Sequence, residues 1–114
     1  MDKSRKELLI IFSRSCNISF SNFELINQAF FHSSYINEIE KYNQDNEKLE
    51  FLGDAVLSLI TVEFLYKEFP NKKEGELSKL KSQLVSEATL SQIAREISIS
   101  KYLLLGKGEK QSGG

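Results

Sequence analysis

The chain has 114 residues and a formal net charge of −1, which leaves room for one domain and argues against a protein held to nucleic acid by bulk positive charge. Hydrophobic residues make up 40% of the sequence, too many for a disordered tail, and the apolar runs are far shorter than a membrane span. A single Cys excludes an internal disulfide, and one Cys with one His excludes a structural zinc cluster, so we expect a soluble cytoplasmic domain.

The first two helices are predicted from their start signals. Ser4-Arg5-Lys6-Glu7 and Ser21-Asn22-Phe23-Glu24 both have the Ser-x-x-Glu spacing of a capping box, in which side chain and backbone satisfy each other's open groups. The first spacing predicts a helix that continues to about residue 12, and the second predicts a helix that continues to about residue 31.

A third, longer helix is predicted from about Asn46 to Glu68, because Pro70 cannot donate the hydrogen bond that would continue it. Residues 71–75 are predicted to form a turn. Apolar residues then recur at helical spacing to residue 97, with a break expected near residues 85 and 86. No strand-like alternation lasts long enough to compete, so the predicted fold class is all-α, a helical bundle.

The third helix has two different faces at about 100° per residue. Its predicted core stripe consists of Leu49, Leu52, Val56, Leu59 and Ile60. The opposite face carries Glu47, Glu50 and Asp54. Phe51 lies beside these acids rather than on the stripe, and a partner subunit could cover it. Beyond Ser58 the helix is apolar nearly all round, as expected of a central buried helix.

Acidic residues concentrate in and before this helix. The cluster comprises Glu38, Glu40, Asp45, Glu47, Glu50 and Asp54, against Lys41 and Lys48. One interpretation is a solvated surface, because acid triads at helical spacing are common there. The other is a site for Mg²⁺ or Mn²⁺, since hard carboxylate oxygens suit these ions and relieve their own repulsion by binding them. Such a metal can activate water and stabilise the leaving oxygen of a phosphodiester.

Residues 46–57, which read NEKLEFLGDAVL, resemble the signature stretch of the ribonuclease III family. Three further segments resemble the family in the same order: residues 29–35 (AFFHSSY, with Phe31 in place of the usual Thr), 74–81 (EGELSKLK) and 103–109 (LLLGKGE). The resemblance covers nearly the whole chain.

This resemblance implies an all-helical endonuclease domain that pairs as a homodimer and cuts double-stranded RNA with Mg²⁺, or Mn²⁺ as a substitute, in the processing of ribosomal and messenger RNA. It implies that Glu50 is a metal ligand and that Asp54 is a metal ligand that also helps to activate the attacking water. The resemblance also implies that Glu47 and Glu76 are catalytic acids in the same surface groove as Glu50 and Asp54. Phe51 is implied to insert into a socket on the partner subunit.

The family also needs a second acidic pair, an Asp and a Glu one turn apart, on a helix after the segment at residues 103–109. The chain ends at Gly114 without that pair and without the usual domain that binds double-stranded RNA. We therefore expect residues 1–114 to be a partial endonuclease domain with little or no activity of its own, exposed apolar surface and poor solubility. The alternative is a non-catalytic dimerisation or RNA-scaffolding module, against which Glu50 and Asp54 argue for the longer protein.

Two other residues with reactive side chains are expected to have structural roles. His32 is expected to pack or to form hydrogen bonds rather than to act as a base, because the chemistry implied by the resemblance is metal-based. Cys16 is expected to be a small, half-buried residue, since no base is placed beside it in the motif.

Overall fold

The computed structural model describes residues 1–38 and 45–108, and it confirms the all-α class. The described helices are α1 (Lys3–Ser15), α2 (Phe23–Ala29), α3 (Ser33–Glu38), α4 (Glu47–Glu68), α5 (Glu74–Leu84) and α6 (Glu87–Glu96), followed by a 3₁₀ turn at Ile99–Lys101. Extended pairing in the described part is limited to an isolated parallel bridge between Phe31 and Leu104. No described helix is long and apolar enough to cross a membrane.

The chain divides into two compact units. The first comprises Met1–Glu50 and Ile97–Gly114, so it draws on both ends of the sequence, and the second comprises Phe51–Glu96. Glu40 of the acidic cluster, Glu109 of the last family-like segment and Gln111–Gly114 lie outside the described residues.

The core of the first unit is a cluster of aromatic rings around one aliphatic side chain. Leu9 is fully buried, and Phe12, Phe30 and Tyr102 surround it. The Phe12 ring meets the Phe30 ring edge to face at 5.1 Å between centroids and lies 5.0 Å from the Tyr102 ring. Such tilted contacts are the favoured arrangement of aromatic pairs, because ring edges and faces carry opposite partial charges. The core therefore joins α1, the end of α2 and the segment after the 3₁₀ turn.

Arg5 adds a polar connection across the same three segments. Its Nε donates to Asn27 Oδ1 at 2.7 Å, and its Nη2 donates to the carbonyl oxygen of Tyr102 at 2.6 Å. Asn27 is buried, so its side-chain oxygen needs a partner within the protein. The planar guanidinium supplies two donors in a fixed geometry and thereby holds α1, α2 and Tyr102 together.

The two capping-box predictions are wrong in detail. Helix α1 begins one residue before Ser4, after Asp2, and the Ser4 hydroxyl donates to the Asp2 carboxylate at 2.7 Å instead of capping the helix. Helix α2 is capped by Asn22, whose side chain accepts a hydrogen bond from the Leu25 N–H at 3.1 Å. Helix α1 ends at Ser15 rather than near residue 12. Helix α2 ends at Ala29 rather than near residue 31, because the backbone beyond Ala29 leaves the helix to pair with Leu104.

The second unit follows the predicted order more closely. Helix α5 begins at Glu74, so the predicted turn at residues 71–75 is two residues too long. The predicted break after residue 84 is confirmed, since α5 ends at Leu84 and α6 begins at Glu87. The Ser86 hydroxyl oxygen accepts a hydrogen bond from the Thr89 N–H at 3.2 Å and thereby caps α6.

The predicted core stripe of α4 is exposed, which corrects the expectation of a buried central helix. The exposed side chains include Leu52, Val56, Leu59, Ile60, Val62 and Phe64. Leu65 is the buried residue of this helix in the described structure. Helical spacing identifies an apolar face, but burial also needs an element that packs against it. The expected exposure of apolar surface on α4 is thus confirmed.

Candidate active site

The acidic face of α4 begins at the N-terminus of the helix. Glu47 and Glu50 lie in its first turn, and Asp54 follows Glu50 by four residues. At 3.6 residues per turn this spacing brings Glu50 and Asp54 to the same side of the helix. All three side chains are exposed, and the carboxylates of Glu50 and Asp54 have no hydrogen bond or ion pair with any described residue. Their oxygens are therefore available to an external cation.

Several hydrogen bonds fix the backbone at the start of α4. The Asn46 N–H donates to the carbonyl oxygen of Phe31 at 2.8 Å, and Asn46 Nδ2 donates to that of Ala29 at 2.9 Å. Gln28 Nε2 donates to the carbonyl oxygen of Asp45 at 3.1 Å. Sequence reasoning missed the roles of Gln28 and Asn46, because these bonds connect residues 15 or more positions apart.

The donor set on α4 fits a hydrated Mg²⁺ or Mn²⁺ ion. Magnesium is commonly held by one or two carboxylates and keeps several of its own waters, so Glu50 and Asp54 supply oxygens of the right chemistry. Within the described residues, no three side chains of His, Cys, Asp or Glu group together so as to hold a metal ion. The protein ligands available here are therefore a pair rather than a closed set.

Glu76 is on α5 in the second unit, apart in sequence from the acids of α4. Its side chain is exposed and lies in the first turn of α5, where one carboxylate oxygen accepts a hydrogen bond from the Lys73 N–H at 3.2 Å. This bond satisfies a backbone donor at the helix start. Glu76 thus has a local structural role in addition to any chemical one.

Phe51 is 85% exposed, a larger fraction than that of any other large hydrophobic side chain of α4. The exposed Leu52 follows it directly. A large aromatic side chain exposed to this extent is unusual unless another surface covers it.

His32 forms hydrogen bonds within the fold, as expected. Its Nδ1 accepts from the Ser34 N–H at 3.1 Å and lies 2.8 Å from the Ser34 hydroxyl oxygen. That hydroxyl oxygen also accepts the Gly106 N–H at 2.8 Å. Cys16 is half-buried, also as expected.

The described structure is an all-helical domain with the exposed carboxylates of Glu50 and Asp54 on α4. Its sequence and fold are similar to those of known ribonucleases. A family model described as Ribonuclease-III-like matches residues 22–114. Ribonuclease 3 of Borreliella burgdorferi is 54% identical over 110 residues, which cover 96% of this chain and 45% of that relative. Ribonuclease 3 of Treponema denticola is 44% identical over 114 residues, which cover 100% of this chain and 46% of the relative.

A solved structure has the same fold. It is the nuclease domain of ribonuclease III from Campylobacter jejuni, described as having structural flexibility in a region involved in dimer formation. The two structures superpose with a TM-score of 0.82 at 36% identity, over 90% of this chain and 68% of the other. The chain belongs to the ribonuclease III-like family. It spans about half the length of the curated relatives described above.

Proposed function

We propose that this chain supplies catalytic residues of an endonuclease that hydrolyses phosphodiester bonds of double-stranded RNA with Mg²⁺, or with Mn²⁺ as a substitute. The observation that carries the proposal is the pair Glu50 and Asp54, both exposed and without a described partner, one turn apart on α4. Membership of the ribonuclease III-like family supports the choice of RNA, and relatives that share 54% and 44% identity are ribonucleases.

The proposed chemistry divides among four carboxylates. Glu50 and Asp54 would hold the ion, which when bound activates water and stabilises the leaving oxygen of the phosphodiester. Asp54 would also accept a proton from the attacking water through its second oxygen. Glu47, in the first turn of the same helix, adds negative charge that attracts a cation. Glu76 stays in the proposed catalytic set, because one of its carboxylate oxygens has no described hydrogen bond.

The number of ligands limits what these residues can do alone. Two carboxylates leave the ion held mainly by water, so its affinity is low and the attacking water is loosely positioned. We therefore propose that residues 1–114 are part of an endonuclease domain and by themselves cleave RNA slowly at most.

We also propose that the protein acts as a homodimer through Phe51. This residue is 85% exposed, and a two-fold axis would bring it and its symmetry mate against the partner subunit. Two-fold symmetry would supply one cutting site for each RNA strand. The proposed substrates are hairpins in precursors of ribosomal and messenger RNA, and the proposed location is the cytoplasm.

Cleavage of a long RNA hairpin tests the proposed reaction. We expect any cleavage by residues 1–114 to be slow, to require Mg²⁺, to be lost in Glu50→Gln and to be retained in Glu63→Gln. Glu63 is a matched control because it is exposed on the same helix and its contact is a surface ion pair with Lys67 at 3.3 Å, a kind of pair that contributes little. Cleavage that persists in Glu50→Gln or without a divalent cation would contradict the proposal.

Direct binding of Mn²⁺ separates the proposed enzyme from the non-catalytic alternative. We expect Glu50→Gln to weaken Mn²⁺ binding and Glu63→Gln to leave it unchanged. A protein that dimerises and binds double-stranded RNA, but whose Mn²⁺ binding does not depend on Glu50, would instead be a non-catalytic module of this family.

A further inference from the structure

The segment that leads into α4 is fastened to the end of α2 by three hydrogen bonds. Two come from Asn46, through Nδ2 to Ala29 and through its N–H to Phe31, at 2.9 and 2.8 Å to the carbonyl oxygens. The third is donated by Gln28 Nε2 to the carbonyl oxygen of Asp45 at 3.1 Å. We call these three bonds the α2–α4 connection. Both side chains act as amide donors to backbone carbonyls.

The connection leads directly to Glu50. The carbonyl oxygen of Asn46 accepts the Glu50 N–H at 2.8 Å, which is the first i to i+4 bond of the helix. The N–H of Glu47 is satisfied by the Asp45 side chain at 3.0 Å. The Asn46 side chain donates through Nδ2 to Ala29 at a position one helical turn before the proposed metal ligand.

The other end of the connection is fixed in the core of the first unit. Phe30 and Phe31 are buried. The carbonyl oxygen of Phe30 accepts the Leu104 N–H at 2.8 Å, and the His32 N–H donates to the carbonyl oxygen of Leu104 at 3.1 Å. A continuous set of contacts therefore runs from the core, through the backbone at residues 30–32, to Asn46 and Glu50. Each contact in this set is within the first unit.

We propose that Asn46 and Gln28 are positioning residues for the metal site, acting on Glu50 through the α2–α4 connection. The inference rests on the proposed function, because it assigns these residues to the same metal ion. A pair of carboxylates can order a hydrated ion only when the backbone that carries them is held still, and loss of supporting hydrogen bonds around metal ligands weakens binding by about 10–100-fold. Asparagine suits position 46 because its amide can donate to a carbonyl, which a carboxylate cannot.

Titration of the protein with Mn²⁺, followed by the loss of the electron paramagnetic resonance signal of the free ion, tests the proposal. We expect Asn46→Ala to bind Mn²⁺ about tenfold more weakly than the unaltered protein. Gln28→Met, which keeps the length of the side chain but removes the donor, is expected to weaken binding in the same direction. Each substitution removes one side-chain bond, but the two bonds lie on different segments, so Gln28→Met tests the proposal even when Asn46→Ala fails to fold.

Ser86→Ala is the matched control. It removes a polar side chain that caps α6, which carries none of the proposed ligands, so it lowers thermal stability without a reason to alter the metal site. Far-UV circular dichroism measures the melting temperature of every variant. The expected result is weaker Mn²⁺ binding in Asn46→Ala and Gln28→Met, with unchanged binding in Ser86→Ala at a similar loss of melting temperature.

Glu50→Gln separates failure of this inference from failure of the proposed function. Weak Mn²⁺ binding in Glu50→Gln, together with unchanged binding in Asn46→Ala and Gln28→Met, would overturn the positioning role and leave the metal site in place. Binding that does not respond to Glu50→Gln would overturn both. Equal weakening in Ser86→Ala would also overturn the positioning role, because general loss of stability would then explain the effect.

Discussion

Substitution of Phe51 by Ala should greatly weaken self-association of the protein. The side chain is 85% exposed, so it contributes little packing within one chain and has almost its whole surface to bury in a dimer. We therefore expect the substitution to act on the dissociation constant. The free energy of unfolding of the separate protomer should change little.

The size of the effect follows from the buried area. Covering a Phe side chain completely stabilises an assembly by about 1.5–3 kcal/mol. A two-fold dimer contains the contact twice, so removing both rings costs about 4 kcal/mol, or about a thousandfold in the dissociation constant. The effect of one substitution is thus doubled by symmetry.

Sedimentation equilibrium over a range of protein concentrations measures this change. The control is Tyr66→Ala, because Tyr66 is 74% exposed on the same helix and lies 15 residues further along, about 22 Å away. Tyr66→Ala should have a much smaller effect on dimerisation. Equal effects of the two substitutions would refute the reasoning, since association would then reflect general apolar exposure.

Three further predictions concern the first unit. Leu9→Ala should lower the free energy of unfolding by about 3 kcal/mol in urea denaturation, because Leu9 is fully buried. The control Leu8→Ala, at a 42% exposed position, should lower it by about 1 kcal/mol or less. Similar losses in the two variants would contradict the description of the core. Arg5→Met should lower the free energy of unfolding by about 2–3 kcal/mol in the same assay, because it keeps the aliphatic part of the side chain but removes the hydrogen bonds to Asn27 and Tyr102. A loss below about 0.5 kcal/mol would count against the importance of these bonds. Ser34→Ala should accelerate hydrogen exchange of the Gly106 amide, which loses its acceptor, and unchanged exchange would show that this bond is not made in solution.

Much of the fold could be predicted from local signals along the chain. Helix α4 was predicted within one residue at each end, because Pro70 and the long apolar run act through the backbone of the helix itself. The break between α5 and α6 was also predicted, near residues 85 and 86. Helix starts were predicted less accurately, because Ser4 and Ser21 were expected to begin α1 and α2, whereas these helices follow Asp2 and Asn22.

Features that depend on distant residues could not be predicted in this way. The sequence pattern located an apolar stripe on α4, but it could not show that the described core would form around Leu9 with Phe12 and Tyr102 instead. The α2–α4 connection was also missed, because nothing in the local pattern around Asn46 indicates a bond to Ala29. For the candidate site, spacing alone placed the three acids on one face of α4, and family resemblance supplied their proposed roles.

The discontinuous first unit has a consequence for synthesis on the ribosome. Phe12 and Phe30 are made early, but their contact with Tyr102 must wait for roughly seventy more residues, which at about 5–20 residues per second takes about 4–14 s. The whole second unit, Phe51–Glu96, leaves the ribosome during that interval. The aromatic residues of the nascent chain therefore remain uncovered while α4 and its apolar face emerge, so chaperones that bind exposed apolar segments should meet this chain before its core can close.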